Sequence, residues 1–130
     1  MPGSCLVTGA SYGLGAEISR QLGAAGWELV LVARSADRLQ ALASHIEAGG
    51  GKALALSCDI TDKAAVAELE KKVEEKFPGG PDIVINNAAY VPPIHTFAGG
   101  EISQWERAIA VNVWGALLVT RSDSEPSEPC

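Results

Sequence analysis

The feature that most constrains the fold is a regular alternation of short apolar runs with longer segments of helical periodicity. Four runs are continuously apolar, at residues 5–7, 29–32, 53–56 and 83–85. Short runs without polar alternation are typical of parallel strands that are covered on both faces. These runs therefore predict four β-strands.

The segments between the strands carry apolar residues three or four positions apart, which predicts one apolar stripe on each helix. The stripes are Leu14, Ile18 and Leu22; Leu39, Leu42, Ala43 and Ile46; and Val66, Leu69, Val73 and Phe77. Ser35 and Thr61 are the predicted N-caps of the second and third helices. Gly26, Gly49 and the Pro-Gly-Gly-Pro run at 78–81 supply the stop signals.

A fourth helix is predicted after the loop at 90–100, because Ser103 and Glu106 have capping-box spacing. Its predicted core stripe is Trp105, Ile109, Asn112, Val113, Ala116, Leu117 and Thr120. Residues 122–130 are polar, acidic and interrupted by proline, so we expect a disordered acidic tail there.

Four strand–helix units with right-handed crossovers predict an α/β fold. We expect a doubly wound parallel sheet (Rossmann-like) with strand order 3-2-1-4, in a single domain over residues 1–121. In such sheets ligands bind beyond the carboxyl ends of the strands. The four strand-to-helix loops are therefore the candidate site.

The net charge of −6 and the lack of a Lys/Arg cluster argue against a nucleic-acid partner. Cys5, Cys58 and Cys130 lack the spacing of zinc ligands, so we expect free thiols in a reducing compartment and no metal. No apolar stretch approaches the roughly 20 residues of a membrane span. We therefore expect a cytoplasmic protein without a membrane partner.

The first loop reads Thr8-Gly9-Ala10-Ser11-Tyr12-Gly13-Leu14-Gly15. Glycine lets the backbone approach a pyrophosphate, and the free N–H groups at the start of the next helix favour negative charge. A merely tight strand-to-helix turn is the alternative. The spacing Thr-Gly-x-x-x-Gly-x-Gly differs from the general GxGxxG pattern and resembles that of the short-chain dehydrogenase/reductase family. The resemblance implies that Thr8, Gly9, Ser11, Tyr12, Gly13, Leu14 and Gly15 bind the cofactor.

The second loop, Ala33-Arg34-Ser35, lacks the acidic residue that would bind the adenosine ribose of NAD. Arg34 can instead form a forked, charge-assisted contact with the 2′-phosphate of NADP, and Ser35 can add a hydroxyl. A solvated arginine is the alternative for Arg34, and NAD is the alternative cofactor. By resemblance, Arg34 falls at the family's NADP-selecting position. Family members often add a basic residue in the glycine loop, where this chain has Ser11 and Tyr12.

The resemblance gives roles to the third and fourth loops as well. It implies that Asp59 accepts a hydrogen bond from the adenine amino group and that Ile60 packs on the ring; a loop aspartate supporting the Thr61 cap is the alternative. Residues 86–89, Asn-Asn-Ala-Ala, resemble the family's Asn-Asn-Ala-Gly motif, so Asn86 and Ala88 are implied cofactor contacts. A purely structural role for these asparagines is the alternative.

Asn112 interrupts the apolar stripe of the fourth helix and is predicted to face inward. A buried amide needs hydrogen-bond partners, since leaving it unsatisfied costs about 1–3 kcal/mol. By resemblance, its Val-Asn-Val context matches the catalytic asparagine that helps to hold a proton-relay water. A structural hydrogen bond at a helix end or between helices is the alternative.

The family's Tyr-x-x-x-Lys pair and catalytic serine have no counterpart in this sequence, since Tyr12 and Tyr90 are followed four residues later by Ala16 and Ile94. We therefore expect a truncated N-terminal half that is inactive alone and leaves the fourth strand as an apolar edge. The resemblance implies that the full-length protein interconverts a small-molecule alcohol and carbonyl by hydride transfer. It also implies a homo-oligomer formed through the Asn112 helix and the helix that follows it in family members. The alternatives are a non-catalytic nucleotide-binding or regulatory fragment that pairs with a full-length relative, and another doubly wound protein such as a methyltransferase or a flavodoxin-like module.

Overall fold

The four apolar runs pair into one parallel sheet. In the computed structural model, which describes residues 2–92 and 96–122, the strands are β1 (Ser4–Thr8), β2 (Glu28–Ala33), β3 (Lys52–Ser57) and β4 (Ile83–Ile85). Their order is β3-β2-β1-β4, and every pairing is parallel. The predicted strands and the doubly wound topology are confirmed.

Helices connect the strands and cover both faces of the sheet. They are α1 (Gly13–Ala24), α2 (Ala36–Ala48), α3 (Lys63–Lys76), α4 (Ile102–Ile109) and α5 (Ala116–Ser122). A short 3₁₀ turn, Phe97–Gly99, precedes α4, and a wider π-helical stretch, Ala110–Gly115, joins α4 to α5. The helical backbone thus runs from α4 to α5 without a break, but its pitch changes in the middle.

Alternate side chains of the central strands enter two separate core layers, as the two-residue period of a strand requires. Cys5, Val7, Leu29 and Leu31 pack with α1 and α2 on one face. Leu6, Val30 and Val32 pack with α3 and α5 on the other. Strands β1 and β2 are therefore covered on both faces, whereas most residues of the outer strands β3 and β4 are half-buried or exposed.

The predicted apolar stripes of α2 and α3 are confirmed, whereas that of α1 is only partly correct, because Leu22 packs against the core but Leu14 does not. Leu14 is 69% exposed, and the buried residues of α1 are Gly15, Ala16, Ser19 and Gly23. Small side chains let this helix lie close to the sheet and to α2. The Ser19 hydroxyl donates to the Gly15 carbonyl oxygen at 2.7 Å, which satisfies it in the core.

Two predicted helix starts are also wrong. The N-cap of α3 is Asp62, whose carboxylate accepts from the amides of Ala64 (3.0 Å) and Ala65 (3.4 Å). A carboxylate is favoured over the neighbouring Thr61 hydroxyl because it also meets the positive end of the helix dipole. Helix α4 begins at Ile102, one residue before the expected cap Ser103, and its N-cap residue Glu101 makes no side-chain capping bond. Ser35 does occupy the N-cap position of α2, without a side-chain capping bond.

The predicted core stripe of the last helix is wrong as well. Trp105, Ile109, Val113 and Leu117 are between 43% and 60% exposed. The helix instead buries Gly115 and Val119 against the layer that contains α3. A helix carrying apolar residues on two faces packs through the face that fits its neighbour most closely, and here that face holds the smaller residues. We call the exposed set, Trp105, Ile109, Val113 and Leu117, the outer face.

Strand β4 lies at an edge, as predicted. Within the described ranges it pairs with β1 alone, and Ile83 is 42% exposed. Ser122 ends α5, while residues 123–130, with the predicted tail and Cys130, lie outside the described residues. The disordered tail stays a prediction. No described helix combines the length and the apolarity that crossing a bilayer requires.

The close packing of α1 on α2 gives a stability prediction. A Cβ at Gly23 would lie 2.7 Å from Cγ2 of the buried Ile46. We expect Gly23→Val to lower the free energy of unfolding by about 1–3 kcal/mol, because overpacking forces the core to shift. Ala24→Val, next to it on the exposed side, should cost less than about 0.7 kcal/mol. Urea unfolding followed by circular dichroism measures both, and equal losses would contradict the close packing.

Candidate functional site

The four strand-to-helix loops surround one cavity of about 640 Å³ at the carboxyl ends of the strands. This is where a doubly wound sheet is expected to bind a ligand. Ten of the predicted site residues line it: Gly9, Ser11, Tyr12, Gly13, Leu14, Arg34, Ser35, Asp59, Ile60 and Ala88. Thr8, Gly15, Asn86 and Asn112 do not.

Thr8 has a structural position at the end of β1. Its side chain is fully buried, and its Oγ1 accepts from the amides of Asn87 (3.1 Å) and Ala88 (3.0 Å). The Asn87 side-chain amide in turn donates to the Gly9 carbonyl oxygen at 3.2 Å. These bonds fasten the fourth loop to the first.

Gly9 is required where these two loops meet. It has a φ of +64°, and a Cβ there would lie 2.8 Å from Cα of Ala88. Any other residue would be strained by its dihedral angle and would push the loops apart.

The start of α1 presents free backbone donors to the cavity. Its N-cap residue, Tyr12, makes no side-chain capping bond, and the first turn contains no acidic residue. The first N–H groups of a helix have no partner within the helix, and its dipole adds positive potential there. The first loop therefore offers an anion site.

The second loop places two polar side chains on the cavity wall. Arg34 is exposed and Ser35 half-buried. The Ser57 hydroxyl donates to the Arg34 carbonyl oxygen at 3.0 Å, which ties this loop to the end of β3. Backbone position is thus fixed while the guanidinium stays available to a ligand.

Asp59 supports the third loop and also lines the cavity. Its Oδ1 accepts from the hydroxyl (2.7 Å) and the amide (3.0 Å) of Thr61. The Thr61 hydroxyl, then its amide, and to a smaller extent the cations Arg34 and Arg107 hold the pKa of Asp59 below its ordinary value of 3.8. Asp59 is therefore ionised at neutral pH. Its loop-supporting role is observed, although the helix cap itself is Asp62.

Cys58 is the buried neighbour of this loop. Burial, with a smaller contribution from the charges of Asp59 and Asp62, raises the pKa of the Cys58 thiol to about 11. The thiol is neutral at physiological pH and is therefore not an activated nucleophile. Cys5 and Cys58 are both free.

In the fourth loop the two asparagines turn in different directions. The Asn86 amide donates to the Thr120 hydroxyl at 2.9 Å and lies outside the cavity lining. Asn87 lines the cavity, together with Ala88, Ala89 and Tyr90. The structural role considered for these residues is therefore observed for both asparagines.

Asn112 does not face the core, which corrects the prediction. It is exposed and lies in the π-helical stretch, where its Oδ1 accepts from the Tyr90 amide (2.7 Å) and its Nδ2 donates to the Tyr90 carbonyl oxygen (2.9 Å). The side chain thus pairs with the loop backbone as a neighbouring strand would. Widened helical turns of this kind are frequent at functional sites. The proton-relay role stays a prediction.

Several lining residues were missed from the sequence, above all Arg38, Asn87, Tyr90 and Arg107. Arg38 was detectable, since it follows Arg34 by four residues across a predicted helix start. The Arg107 guanidinium lies 4.8 Å from the Tyr90 ring centroid. Its position depends on how α4 packs, which no local pattern reports.

The Thr8 bonds give a prediction for the loop junction. Thr8→Val keeps the shape but removes the oxygen that accepts from the Ala88 amide. We expect it to lower the free energy of unfolding by about 1–3 kcal/mol and to speed hydrogen exchange of that amide. Thr8→Ser keeps the hydroxyl and should keep the amide protected. Equal exchange rates in the two variants, measured by NMR, would contradict the role given to Thr8.

The Asp59 turn gives a pH prediction. Because the folded-state pKa is lowered, the turn stabilises the fold above the unfolded-state pKa, and this stability is lost as the pH falls through the folded-state value. Thr61→Val removes the larger cause, so the Asp59 pKa should rise towards 3.8. Thr61→Ser should keep it low. NMR titration of the carboxyl carbon measures this, and an unchanged pKa in Thr61→Val would refute the assigned cause.

Comparison with known proteins agrees with this geometry. The family described as short chain dehydrogenase matches residues 4–125. A fatty acyl-CoA reductase of Mycobacterium tuberculosis is 38% identical over 119 residues, which cover 89% of this chain and 40% of that protein.

Two solved structures are also similar. A metagenomic short-chain oxidoreductase in complex with NADP has a TM-score of 0.85 at 34% identity, covering 92% of this chain and 53% of its own. An alcohol dehydrogenase of Thermococcus sibiricus complexed with 5-hydroxy-NADP has a TM-score of 0.87 at 29% identity, covering 94% and 52%. The chain spans about half the length of these relatives. By its fold, its loop motifs and these matches, it belongs to the short-chain dehydrogenase family.

Proposed function

We propose that this chain is the NADP(H)-binding part of an oxidoreductase that interconverts an alcohol and a carbonyl by hydride transfer. One observation carries the proposal: a single cavity joins the free helix start of α1 to the Arg34–Ser35 corner. The relatives solved with NADP and 5-hydroxy-NADP support it. Family membership favours this function over a separate regulatory fragment and over a methyltransferase or flavodoxin-like module.

The cavity fits a dinucleotide on its own chemistry. The uncapped start of α1 suits a pyrophosphate, because several N–H donors converge there without a competing carboxylate. Gly9 lets the first loop lie against the fourth, since a side chain there would collide with the fourth loop. When bound, the cofactor supplies the hydride chemistry, and the chain supplies binding and orientation.

The adenosine end would be held by the second and third loops. Arg34 and Ser35 suit a 2′-phosphate, which needs a fork of charged donors and a hydroxyl. Asp59, ionised at neutral pH, is an acceptor for the adenine amino group, and the largely buried Ile60 offers an apolar surface to the ring. NAD is the weaker alternative, because a ribose without the phosphate would leave Arg34 without this partner.

Asn112 would act in two ways in the whole protein. It holds the Tyr90 backbone through one lone pair and one amide hydrogen. An amide has one further hydrogen and one further lone pair, so the side chain can also hold a proton-relay water. We assign it that catalytic role, which the hydrogen bonds to Tyr90 leave room for.

The remaining assignments concern the whole protein. Its substrate would be a small-molecule carbonyl or alcohol. The outer face supports assembly as a homo-oligomer, since large apolar side chains exposed at every fourth residue of a helix are typical of an interface. The free buried thiols of Cys5 and Cys58 support a reducing, cytoplasmic location.

The proposed function is tested by calorimetry on the 130-residue chain. Wild type should bind NADPH more tightly than NADH. Arg34→Gln should weaken NADPH binding by about 10- to 100-fold, because a charge-assisted hydrogen bond contributes about 1.5–3 kcal/mol. NADH binding should change little.

Arg20→Gln is the matched control. Arg20 lies on the exposed side of α1, where it pairs with Glu17 at 3.4 Å, so the variant loses the same charge away from the cavity. It should bind NADPH as wild type does. Folded wild-type protein that gives no heat and no thermal shift with millimolar NADPH would overturn the proposal.

A further inference from the structure

We propose that Arg38 is a second specificity-determining residue of this site, held in place by Tyr12, and that it joins Arg34 in binding a phosphomonoester on the adenosine ribose. The inference rests on the proposed function and deepens it, because it assigns the choice of cofactor to a pair of cations. Neither the glycine-loop motif nor the second-loop motif includes Arg38.

Arg38 reaches the cavity from α2 and meets the first loop there. Its guanidinium carbon lies 5.9 Å from the centroid of the Tyr12 ring, within the range of a cation–π contact. Arg34, Arg38 and Tyr12 line the same cavity. The contact therefore links the glycine loop to the start of α2 across the corner where Arg34 stands.

Neither arginine is explained by the stability of its helix. Arg34 directly precedes the N-cap of α2, and Arg38 is the third residue of that helix. A cation there is disfavoured by the positive end of the helix dipole. In the described part of the chain no carboxylate lies within ion-pair distance of either guanidinium. Asp37, in the same turn, does not line the cavity.

The same corner also has free hydrogen-bond donors. Ser35 occupies the N-cap position without a side-chain capping bond, so its hydroxyl and the first N–H groups of α2 remain available. Two guanidiniums, a hydroxyl and an uncapped helix start make a site for a compact dianion. A ribose phosphate carries about −1.5 to −2 charges at neutral pH.

Through its contact with Tyr12, the Arg38 cation lies beside the glycine loop, which has no charged residue of its own. Residues 9–13 of that loop are uncharged, and Tyr12 is 66% exposed. The face of the Tyr12 ring attracts the Arg38 cation, and the two side chains meet on the wall of the cavity. By stacking on Arg38, Tyr12 restricts a long flexible side chain, so less conformational entropy is lost when the phosphate binds.

The test compares NADPH, NADH and adenosine 2′,5′-bisphosphate by calorimetry on wild type, Arg34→Gln, Arg38→Gln and the double variant. Arg38→Gln should weaken binding of NADPH and of the bisphosphate by about 5- to 20-fold and change NADH binding by less than about twofold. The double variant should bind NADPH no better than NADH. Arg20→Gln again controls for loss of charge elsewhere.

Two variants of Tyr12 separate the ring from its hydroxyl. Tyr12→Phe keeps the ring and should keep the preference for NADPH. Tyr12→Leu removes it and should lower NADPH affinity by about two- to fivefold, an effect that Arg38→Gln should abolish in combination. Circular dichroism and thermal unfolding confirm that each variant is folded.

The outcomes separate the two proposals. If folded wild type binds neither NADPH nor NADH, both proposals fail. If wild type prefers NADPH and Arg38→Gln keeps the full preference, the proposed function stands and the role of Arg38 is refuted. If Arg38→Gln weakens NADH as much as NADPH, Arg38 acts on the shared part of the two cofactors, and its role in specificity is likewise refuted.

Discussion

The candidate site depends on the hydrogen bonds of the Thr8 hydroxyl. This hydroxyl lies fully buried at the carboxyl end of the central strand β1, and it accepts hydrogen bonds from two backbone amides of the fourth loop. The glycine loop begins at the next residue. The Thr8 side chain thus fixes both the start of the anion site and the opposite wall of the cavity. Gly9 can lie against Ala88 with its positive φ because it has no side chain. Buried hydrogen bonds at the carboxyl end of the sheet therefore hold the cavity in shape.

Electrostatics sort the chain into two regions. The protein as a whole carries a net charge of −6, yet the cavity lining holds three arginines, Arg34, Arg38 and Arg107, against one aspartate. The aspartate is engaged with Thr61 and helps to shape its own loop. A cationic cleft in an acidic protein concentrates anionic ligands at the cleft, while the acidic remainder repels other polyanions. This arrangement favours a small anionic ligand in the cleft over a nucleic acid along the surface.

Sequence patterns predicted the sheet and two of its helices, because there burial and hydrophobicity coincide. In α2 and α3 the large apolar residues are the ones that pack. In α1 only Leu22 of the predicted residues packs against the core; Gly15 and Gly23 are buried while Leu14 is exposed, since close approach to the sheet requires small residues. The prediction for the last helix was wrong for a related reason, because two of its faces are apolar and hydrophobicity alone does not show which face packs.

The site divides in the same way. Loop motifs located the residues that contact the cavity through the backbone or lie next to a strand end, such as Gly9, Arg34 and Asp59. They did not locate Arg107 or the partner of Asn112, which depend on how α4 and the π-helical stretch approach the fourth loop. Arg38 lies between these cases: its spacing from Arg34 is visible in the sequence, but its contact with Tyr12 needs the tertiary structure.

The well-packed region and the exposed apolar surface belong to different parts of the chain. The corner formed by the first loop and α2 rests on β1 and β2, whose apolar side chains are almost fully buried on both faces. The edge of β4 and the outer face belong instead to the fourth loop and the helix after it. The proposed binding of the phosphate end of a dinucleotide therefore depends on the well-packed part of the chain, whereas the role proposed for Asn112 depends on the part with exposed apolar surface. Loss of order around α4 and α5 would weaken the site at the Tyr90 side first, and the discrimination proposed for Arg34 and Arg38 would outlast it.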